Sequence, residues 1–185
     1  MLARRKLNLR RSSPGQRRSL RSHFLFCSLF AVLTATACAS APEVRQAREP
    51  LRLSLVQSNL TTLSMDALLG KPTLLFFFTT YDSASQLAFI ALSSLVQRHS
   101  EEIHVLGIAV QPEAAELLPM YAEALSLPVR LAYEPAGTVL AGKSALGELG
   151  GIPQYVLLSP QGEVLKRREG VMDYEALSEF VEMDD

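Results

Sequence analysis

The sequence predicts an α/β sandwich, in which helices pack on both faces of a central mixed β-sheet. Residues 73–79 form a continuous apolar run, which is typical of a strand buried on both faces. Residues 83–98 follow with helical periodicity. Residues 154–158 and 163–168 flank the turn sequence SPQG and predict a β-hairpin. Strand and helix patterns therefore alternate before the chain closes on a hairpin.

Two further elements are predicted before the central strand. Residues 51–55 alternate between apolar and polar side chains and predict a half-buried strand. Residues 64–69 predict a helical turn that ends at Gly70, and Pro72 prevents its continuation.

The helix at 83–98 carries two apolar stripes and is expected to be buried on more than one side. Their members are Leu87, Ile90, Ala91 and Leu95 on the first, and Phe89, Leu92 and Val96 on the second.

The second half of the chain continues the alternation. Pro112 is expected in the first turn of a helix that Pro119 kinks or interrupts. Asp173 is expected to cap a final helix ending at residue 182. The remaining predicted elements are strands at 103–110 and 129–133 and a short helix at 136–146.

Charge is distributed unevenly along the 185 residues. Residues 1–38 hold eight basic side chains and no acidic one, which leaves ten basic against 19 acidic residues in the remainder, a net charge of −9. An acidic body lacks the basic surface that binds phosphates, so we expect no nucleic acid partner.

The first 38 residues have the pattern of an export signal. A basic region precedes an apolar stretch of about ten residues, and small residues follow. Ala35-Thr36-Ala37-Cys38 resembles a bacterial lipobox, in which Cys38 becomes the lipid-bearing first residue. Plain cleavage after an A-x-A site and an organellar transit peptide are the alternatives. We predict an exported protein of the bacterial cell envelope or periplasm, held to a membrane by its lipid.

Three segments are therefore predicted. Residues 1–38 are the signal peptide, residues 39–50 a Pro-bearing tether, and residues 51–185 one folded domain.

The two cysteines, Cys27 and Cys38, both lie in the predicted signal. The chain from residue 39 onward has no thiol, so it can form no internal disulfide, thiolate nucleophile or cysteine metal site.

Several segments, in this order, resemble thioredoxin-like proteins of the membrane-anchored TlpA/ResA and redoxin (AhpC-TSA) group. Residues 60–72 resemble the family's strand, short helix and Gly-Lys-Pro entry, and residues 74–81 resemble its central strand. Residues 151–153 resemble the loop with a cis proline, and SPQG with Gly170 fits the closing hairpin. The resemblance implies a thioredoxin-like sandwich.

The family's Cys-x-x-Cys motif would fall on Asp82-Ser83-Ala84-Ser85, which contains no sulfur. The related Thr-x-x-Cys pattern would fall on residues 79–82, again without cysteine. Thiol–disulfide exchange requires a thiolate, so Tyr81 to Ser85 form a degenerate redox loop and we predict no catalytic residue.

Two interpretations of this loop remain open. Asp82 or Ser83 can cap the helix, and Ser83 with Gln86 has the spacing of a capping box. Alternatively, donors at the helix start form a polar binding site, although an ionised Asp82 opposes anions.

The resemblance also implies a function that needs no sulfur. In this family the backbone before the cis proline hydrogen-bonds an extended peptide, and here that position is Ile152, before Pro153. Tyr81, Ile152 and Pro153 are thus candidate peptide-binding residues. The alternative is that Pro153 only shapes a turn.

Residues 137–144 match the phosphate-binding pattern G-x-x-x-x-G-K-[ST], through Gly137, Gly142, Lys143 and Ser144. The bulky residues inside the loop, and the absence of an Asp after neighbouring strands, count against nucleotide binding. The histidines form no closed ligand set, so we expect neither metal nor cofactor.

The leading hypothesis is an exported, tethered thioredoxin-fold module that binds an envelope protein or peptide without thiol chemistry of its own. One alternative is an oxidoreductase role with thiols supplied by a partner. Nucleotide binding at residues 137–144 and a purely structural envelope role are the others.

Overall fold

The computed structural model describes residues 49–183. The predicted signal peptide, Cys38 and nearly all of the predicted tether lie outside these residues, so their assignments stay predictions.

A seven-stranded mixed sheet forms the centre of the described part. The strands are β1 (Ser54–Gln57), β2 (Thr62–Ser64), β3 (Thr73–Phe78), β4 (His104–Ala109), β5 (Arg130–Tyr133), β6 (Gln154–Leu158) and β7 (Val164–Glu169). Their order across the sheet is β2-β1-β5-β4-β3-β6-β7. β3 pairs in parallel with β4 and antiparallel with β6, and β4 pairs in parallel with β5. The predicted mixed sheet is confirmed, with the apolar run of β3 at its interior.

Three α-helices accompany the sheet: α1 (Ser83–His99), α2 (Ala114–Leu125) and α3 (Tyr174–Val181). A short 3₁₀ helix spans Met65–Leu68, where a helical turn was predicted. Pro119 lies inside α2 without interrupting it, and Asp173 caps α3 as predicted.

Side chains from the two faces of the sheet form two buried clusters. On one face, Phe76 and Phe78 pack with Phe89 of α1 at ring-centroid distances of 5.1 and 5.0 Å, and α2 and α3 contribute Leu118 and Leu177. On the other face, the cluster contains residues of the 3₁₀ helix, the segment before β1 and the loop between β5 and β6.

The predicted short helix at 136–146 is wrong. This segment is a succession of turns, in which Gly137 and Gly142 have φ angles of 65° and 66°. A left-handed residue interrupts an α-helix, because the right-handed conformation must continue through every position.

The first of the two apolar stripes predicted to be buried on α1 is only partly buried. Leu87 and Ile90 of the first predicted stripe are 56% and 66% exposed. The buried side is made of Ser85, Ala88, Phe89, Ala91, Leu92 and Leu95. Large apolar residues occupy positions all around α1, so hydrophobicity alone did not identify the buried side.

Within residues 49–183, no helix is both long enough and apolar enough to cross a membrane.

Candidate functional site

The candidate site lies at the end of the sheet where β3 and β4 have their C-termini, and this region is here called the site edge. It is formed by the residues that follow β3 and β4 and those that precede β6. β3 and β4 are parallel, so residues 79–82, which follow β3, and Gln111, which follows β4, lie at the same end of the sheet. β6 runs antiparallel to β3 with Phe77 opposite Gln154, so Ile152 and Pro153 lie beside the residues that follow β3. The fold thus brings together the two parts of the predicted site.

Asp82 is the N-cap of α1. Its Oδ1 accepts a hydrogen bond from the Ala84 N–H at 3.1 Å, and its Oδ2 accepts from the Ser85 N–H at 2.9 Å. The Ser85 hydroxyl donates to the same Oδ2 at 2.7 Å. Between the two candidate caps, the structure selects Asp82. The predicted Ser83 and Gln86 capping box does not form, because the Gln86 amide donates to the Thr80 carbonyl instead.

The two positions that the resemblance assigns to cysteines are therefore joined by a hydrogen bond. Ser85 is fully buried, and its Oγ also accepts from the Thr79 N–H at 3.4 Å. Its proton is directed at the Asp82 carboxylate, whose lowered pKa makes it a weak base, and its burial keeps the hydroxyl away from any substrate. The Asp82–Ser85 pair holds the turn and offers no exposed nucleophile.

These donors keep Asp82 ionised. The hydrogen bond from the Ser85 side chain, followed by that from the Ser85 backbone N–H, lowers the pKa of Asp82, while burial opposes the shift. The start of α1 therefore carries a negative charge that already occupies its first free N–H groups. This arrangement opposes anion binding at the helix start and favours the capping interpretation.

Asp82→Ala is expected to lower the free energy of unfolding by about 1 kcal/mol at neutral pH, because it removes the N-cap. A carboxyl with a lowered native pKa stabilises the fold above its unfolded pKa, and this contribution is lost as pH falls below the ordinary value of 3.8. Urea denaturation at pH 7 and pH 3 measures both effects.

Asp82→Asn is the matched control, since its side-chain oxygen still accepts a backbone hydrogen bond but does not titrate. Wild type should exceed Asp82→Asn in stability at pH 7 and match it more closely at pH 3. If the difference in stability between wild type and Asp82→Asn is larger at pH 3 than at pH 7, Asp82 is not the stabilising ionised cap.

Gln111 connects the ends of β3 and β4 and was not predicted as a site residue. It is 5% exposed. Its Oε1 accepts from the Thr80 N–H at 2.6 Å, and its Nε2 donates to Thr80 Oγ1 at 2.9 Å. The sequence signal was a glutamine directly after a buried strand, at the edge where the candidate loop begins. Gln111 positions the loop from which Tyr81 projects.

Tyr81 is 72% exposed, and the Ile152–Pro153 peptide bond is cis, as the resemblance implied. The Pro153 carbonyl accepts from the Gly170 N–H at 2.9 Å, which joins this loop to the end of β7. Within residues 49–183, neither the N–H nor the C=O of Ile152 takes part in a hydrogen bond. The site edge therefore combines an exposed aromatic ring with free main-chain groups.

Glu169, the last residue of β7, lies against Gly150 and Gly151. A Cβ added to Gly150 would overlap the Glu169 carboxylate, so the glycine allows this close approach. Glu169 is exposed and forms no ion pair within the described residues. It places a negative charge next to Ile152.

The geometry of residues 137–144 argues against a phosphate-binding loop. The N–H groups of Lys143 and Ser144 both point to the Thr138 carbonyl, at 2.8 and 3.2 Å. Val139 is 1% exposed, and its N–H donates to Glu134 Oε2. No helix follows the match. The N–H groups that would hold a phosphate are already used inside the segment.

His99, at the opposite end of the sheet, has structural contacts. His99 Nδ1 lies 3.2 Å from Glu102 Oε2, and its Nε2 lies 3.2 Å from the Tyr174 hydroxyl. Among residues 49–183, no group of three or more potential ligands is placed to hold a metal ion.

The sheet order, the helix after β3 and the loop before β6 define a thioredoxin-like α/β fold. No protein-family model matches the sequence, and a comparison with curated proteins also finds no match. The fold resembles many solved structures.

Three bacterial proteins are examples of this similarity. StoA from Bacillus subtilis is 19% identical, with a TM-score of 0.59 over 72% of this chain and 98% of its own. The pneumococcal exposed lipoprotein thioredoxin Etrx1 from Streptococcus pneumoniae is 15% identical, with a TM-score of 0.60 over 70% and 97%. A putative thioredoxin from Neisseria meningitidis is 21% identical, with a TM-score of 0.60 over 72% and 87%. At these identities the likeness establishes the fold.

Proposed function

We propose that this chain is an exported thioredoxin-fold protein that binds an extended segment of an envelope protein or peptide at the site edge, without redox thiols of its own. The observation that carries this proposal is the pair of unused main-chain groups on Ile152, beside the exposed ring of Tyr81. Unpaired main-chain N–H and C=O groups form hydrogen bonds with an extended peptide, in the way that they would pair with an added β-strand.

The state of the loop at 82–85 supports a binding function over a catalytic one. Its polar atoms are engaged in capping α1, and residues 39–185 contain no cysteine. Electron transfer by dithiol exchange needs a thiolate that this part of the chain does not contain. Tyr81 projects from a turn that Asp82 and Gln111 hold rigidly, which reduces the entropy lost on binding.

Charge at the site edge indicates which segments are favoured. Glu169 and Asp82 contribute negative charge near Ile152, whereas Lys71 and Arg130 lie at the opposite ends of β3 and β5. We therefore propose that the bound segment is neutral or basic, since an acidic one meets like charges.

Export and lipid attachment at Cys38 belong to the same proposal. They are supported by the basic and apolar leader and its small-residue exit. One similar structure is that of the pneumococcal exposed lipoprotein thioredoxin Etrx1. Mass spectrometry of the mature N-terminus tests this part, because a lipid-bearing Cys38 and plain cleavage give different masses.

The binding site is tested with a photo-crosslinking amino acid at position 81, and with the same probe at position 69 as control. Leu69 is 43% exposed and precedes β3, so it reports on the opposite edge of the sheet. We expect a discrete crosslinked partner from position 81 and none from position 69. Partners from position 69 alone would place the interface elsewhere.

Tyr81→Ala then tests the contribution of the ring to binding of that partner. Exposed aromatic side chains at the centre of an interface often contribute 2 kcal/mol or more, so we expect the dissociation constant to rise about tenfold or more. Leu69→Ala should leave it unchanged, and urea denaturation should show both variants folded. Equal affinities for Tyr81→Ala and wild type contradict the proposal.

A redox role with thiols supplied by a partner is the second candidate. The similar structures include a thiol-disulfide isomerase from Corynebacterium glutamicum, at 16% identity. Disulfide reduction by a dithiol protein that supplies the thiols, measured with and without this chain, separates the two: a faster rate with the chain favours the redox role, and an unchanged rate favours binding.

A further inference from the structure

A small pocket opens beside the site edge, where β4 and β5 end. These two strands are parallel, with Ala109 opposite Tyr133, so the residues that follow them lie at the same end of the sheet. The pocket has a volume of about 200 Å³. Sites that hold a whole small molecule usually exceed roughly 300 Å³, so this one has room for a single side chain. It is here called the β4–β5 pocket, and its walls include Gln111, Pro112, Ala115, Glu134, Pro135 and Leu140.

Glu134 is the only charged residue among the described residues that line the β4–β5 pocket. It is half-buried, and its Oε2 accepts a hydrogen bond from the Val139 N–H at 3.2 Å. Within residues 49–183, Glu134 forms no ion pair, and its Oε1 accepts no hydrogen bond. A carboxylate oxygen without a partner gains most from a cationic donor, because charge-assisted hydrogen bonds are the strong ones.

The walls of the pocket fit the stem of a long basic side chain. Pro112, Ala115, Pro135 and Leu140 line it with apolar groups, and Leu140 is 54% exposed. Lys and Arg lay their methylene groups along such surfaces while the charged head group stays with a polar partner. The combination of apolar walls and one carboxylate therefore favours Lys or Arg.

The start of α2 also borders the pocket, and free N–H groups there would favour an anion instead. The Ala114 N–H donates to the Gln111 carbonyl at 3.2 Å. The Glu116 N–H donates to the Glu113 carbonyl at 3.1 Å. Residues 111–129 contain three acidic residues and no basic one. The helix start therefore has few donors left for an anion, and the charge around it favours a cation.

Two observations join the β4–β5 pocket to the site edge. Gln111 lines the pocket and also forms two hydrogen bonds with Thr80, in the loop after β3. Val139, another lining residue, belongs to the buried cluster on which Ile152 packs. A segment that pairs with Ile152 and crosses the end of β3 therefore approaches the pocket.

The spacing of the strands gives the separation between Ile152 and the pocket. β6 is two strands away from β4 and three strands away from β5. Neighbouring strands lie about 4.8 Å apart, so the separation is about 10–14 Å. An extended peptide advances about 3.3 Å per residue and covers this distance in about three or four residues.

We propose that the β4–β5 pocket is a specificity subsite for a Lys or Arg side chain of the bound segment. That residue lies about three or four positions from the one that pairs with Ile152, and its head group donates to Glu134 Oε1. The inference rests on the proposed peptide binding and adds a selective contact to it. Main-chain pairing supplies affinity in such complexes, and pockets for side chains supply selectivity.

Selection from a random peptide library tests the subsite, with the full, processed chain and its Glu134→Gln variant as baits. Glutamine keeps an acceptor for the Val139 N–H and removes the charge. We expect peptides selected by wild type to be enriched in Lys or Arg at one position by about fivefold or more, and this enrichment to disappear with Glu134→Gln. Glu123→Gln is the matched control, because Glu123 is exposed near the end of α2. It should select like wild type.

A double-mutant cycle with one selected peptide measures the contact directly. Replacing the basic residue of the peptide by glutamine, or Glu134 by glutamine, should each raise the dissociation constant about fivefold. The two changes together should raise it little further, because both remove the same contact. Effects that multiply instead overturn the assignment of Glu134 as the partner.

Ala115→Leu is a second variant that does not change any charge. It fills the β4–β5 pocket with an apolar side chain and leaves Glu134 in place. We expect it to abolish the preference for a basic residue, while urea denaturation shows the variant folded. An unchanged preference in this variant contradicts the location of the subsite.

The outcomes distinguish the subsite from the binding function on which it rests. Photo-crosslinking from position 81 shows whether the selected peptides bind at the site edge. Peptides that crosslink there without a basic residue that depends on Glu134 overturn the subsite alone. A chain that selects no peptide, or only peptides that do not crosslink to position 81, overturns the proposed function and the subsite with it.

Discussion

Leu92→Ala is expected to lower the free energy of unfolding by about 2–5 kcal/mol. Leu92 is fully buried in the cluster that contains Phe76 and Phe89. Its truncation removes apolar contacts and leaves a cavity that tightly packed aromatic neighbours fill poorly. Urea denaturation measures the loss.

Leu87→Ala is the matched control, because it is the same substitution in the same helix. Leu87 is 56% exposed, so its truncation should cost less than about 1 kcal/mol. Equal losses for Leu87→Ala and Leu92→Ala would show that Leu87 is as well buried as Leu92, as the two predicted apolar stripes had suggested.

Asp82→Cys combined with Ser85→Cys is expected to create a reducible disulfide where wild type forms none. The side chains of these two residues are in direct contact, with Asp82 Oδ2 2.7 Å from Ser85 Oγ, and a disulfide requires two side chains that approach each other closely. The start of α1 lowers the pKa of a thiol, which favours exchange with other disulfides. We expect insulin reduction to rise about tenfold or more over wild type, since the thiolate is the attacking species.

The double variant is made with Cys27→Ser and Cys38→Ser, so that only the new thiols are present. Asp82→Cys alone and Ser85→Cys alone are the controls, and neither can close an internal disulfide. The lost N-cap should cost about 1 kcal/mol in the reduced double variant. Failure to form a disulfide under oxidising conditions would show that residues 82–85 do not occupy the position of the family's redox motif.

Local patterns were sufficient for most of the fold. A strand as continuously apolar as β3 must be buried on both faces, so its sequence alone predicted a position inside the sheet. The turn sequence between β6 and β7 predicted their pairing, which the structure confirms. The short helix predicted at 136–146 failed, because left-handed glycines at 137 and 142 produce turns there.

The candidate site was predicted in part. Tyr81, Asp82 and the Ile152–Pro153 loop were found because each has a distinctive local sequence. Gln111 was missed, because its role depends on Thr80, which is 31 residues away in the sequence. Glu169 was missed for a similar reason: it touches Gly150 only because β7 pairs with β6.

The sequence by itself determined that residues 39–185 have no thiol, that their net charge is strongly negative, and that strands and helices alternate. These are properties of composition and local pattern, which do not depend on which residues meet in space. Only the tertiary structure decided which side of α1 is buried, that Asp82 rather than Ser83 caps it, and that Ile152 keeps free main-chain groups near Tyr81. The first and third depend on contacts between distant segments, whose free energies are set by packing and hydrogen bonding in the folded chain, and the cap depends on the residue at which α1 begins, which the local sequence left open.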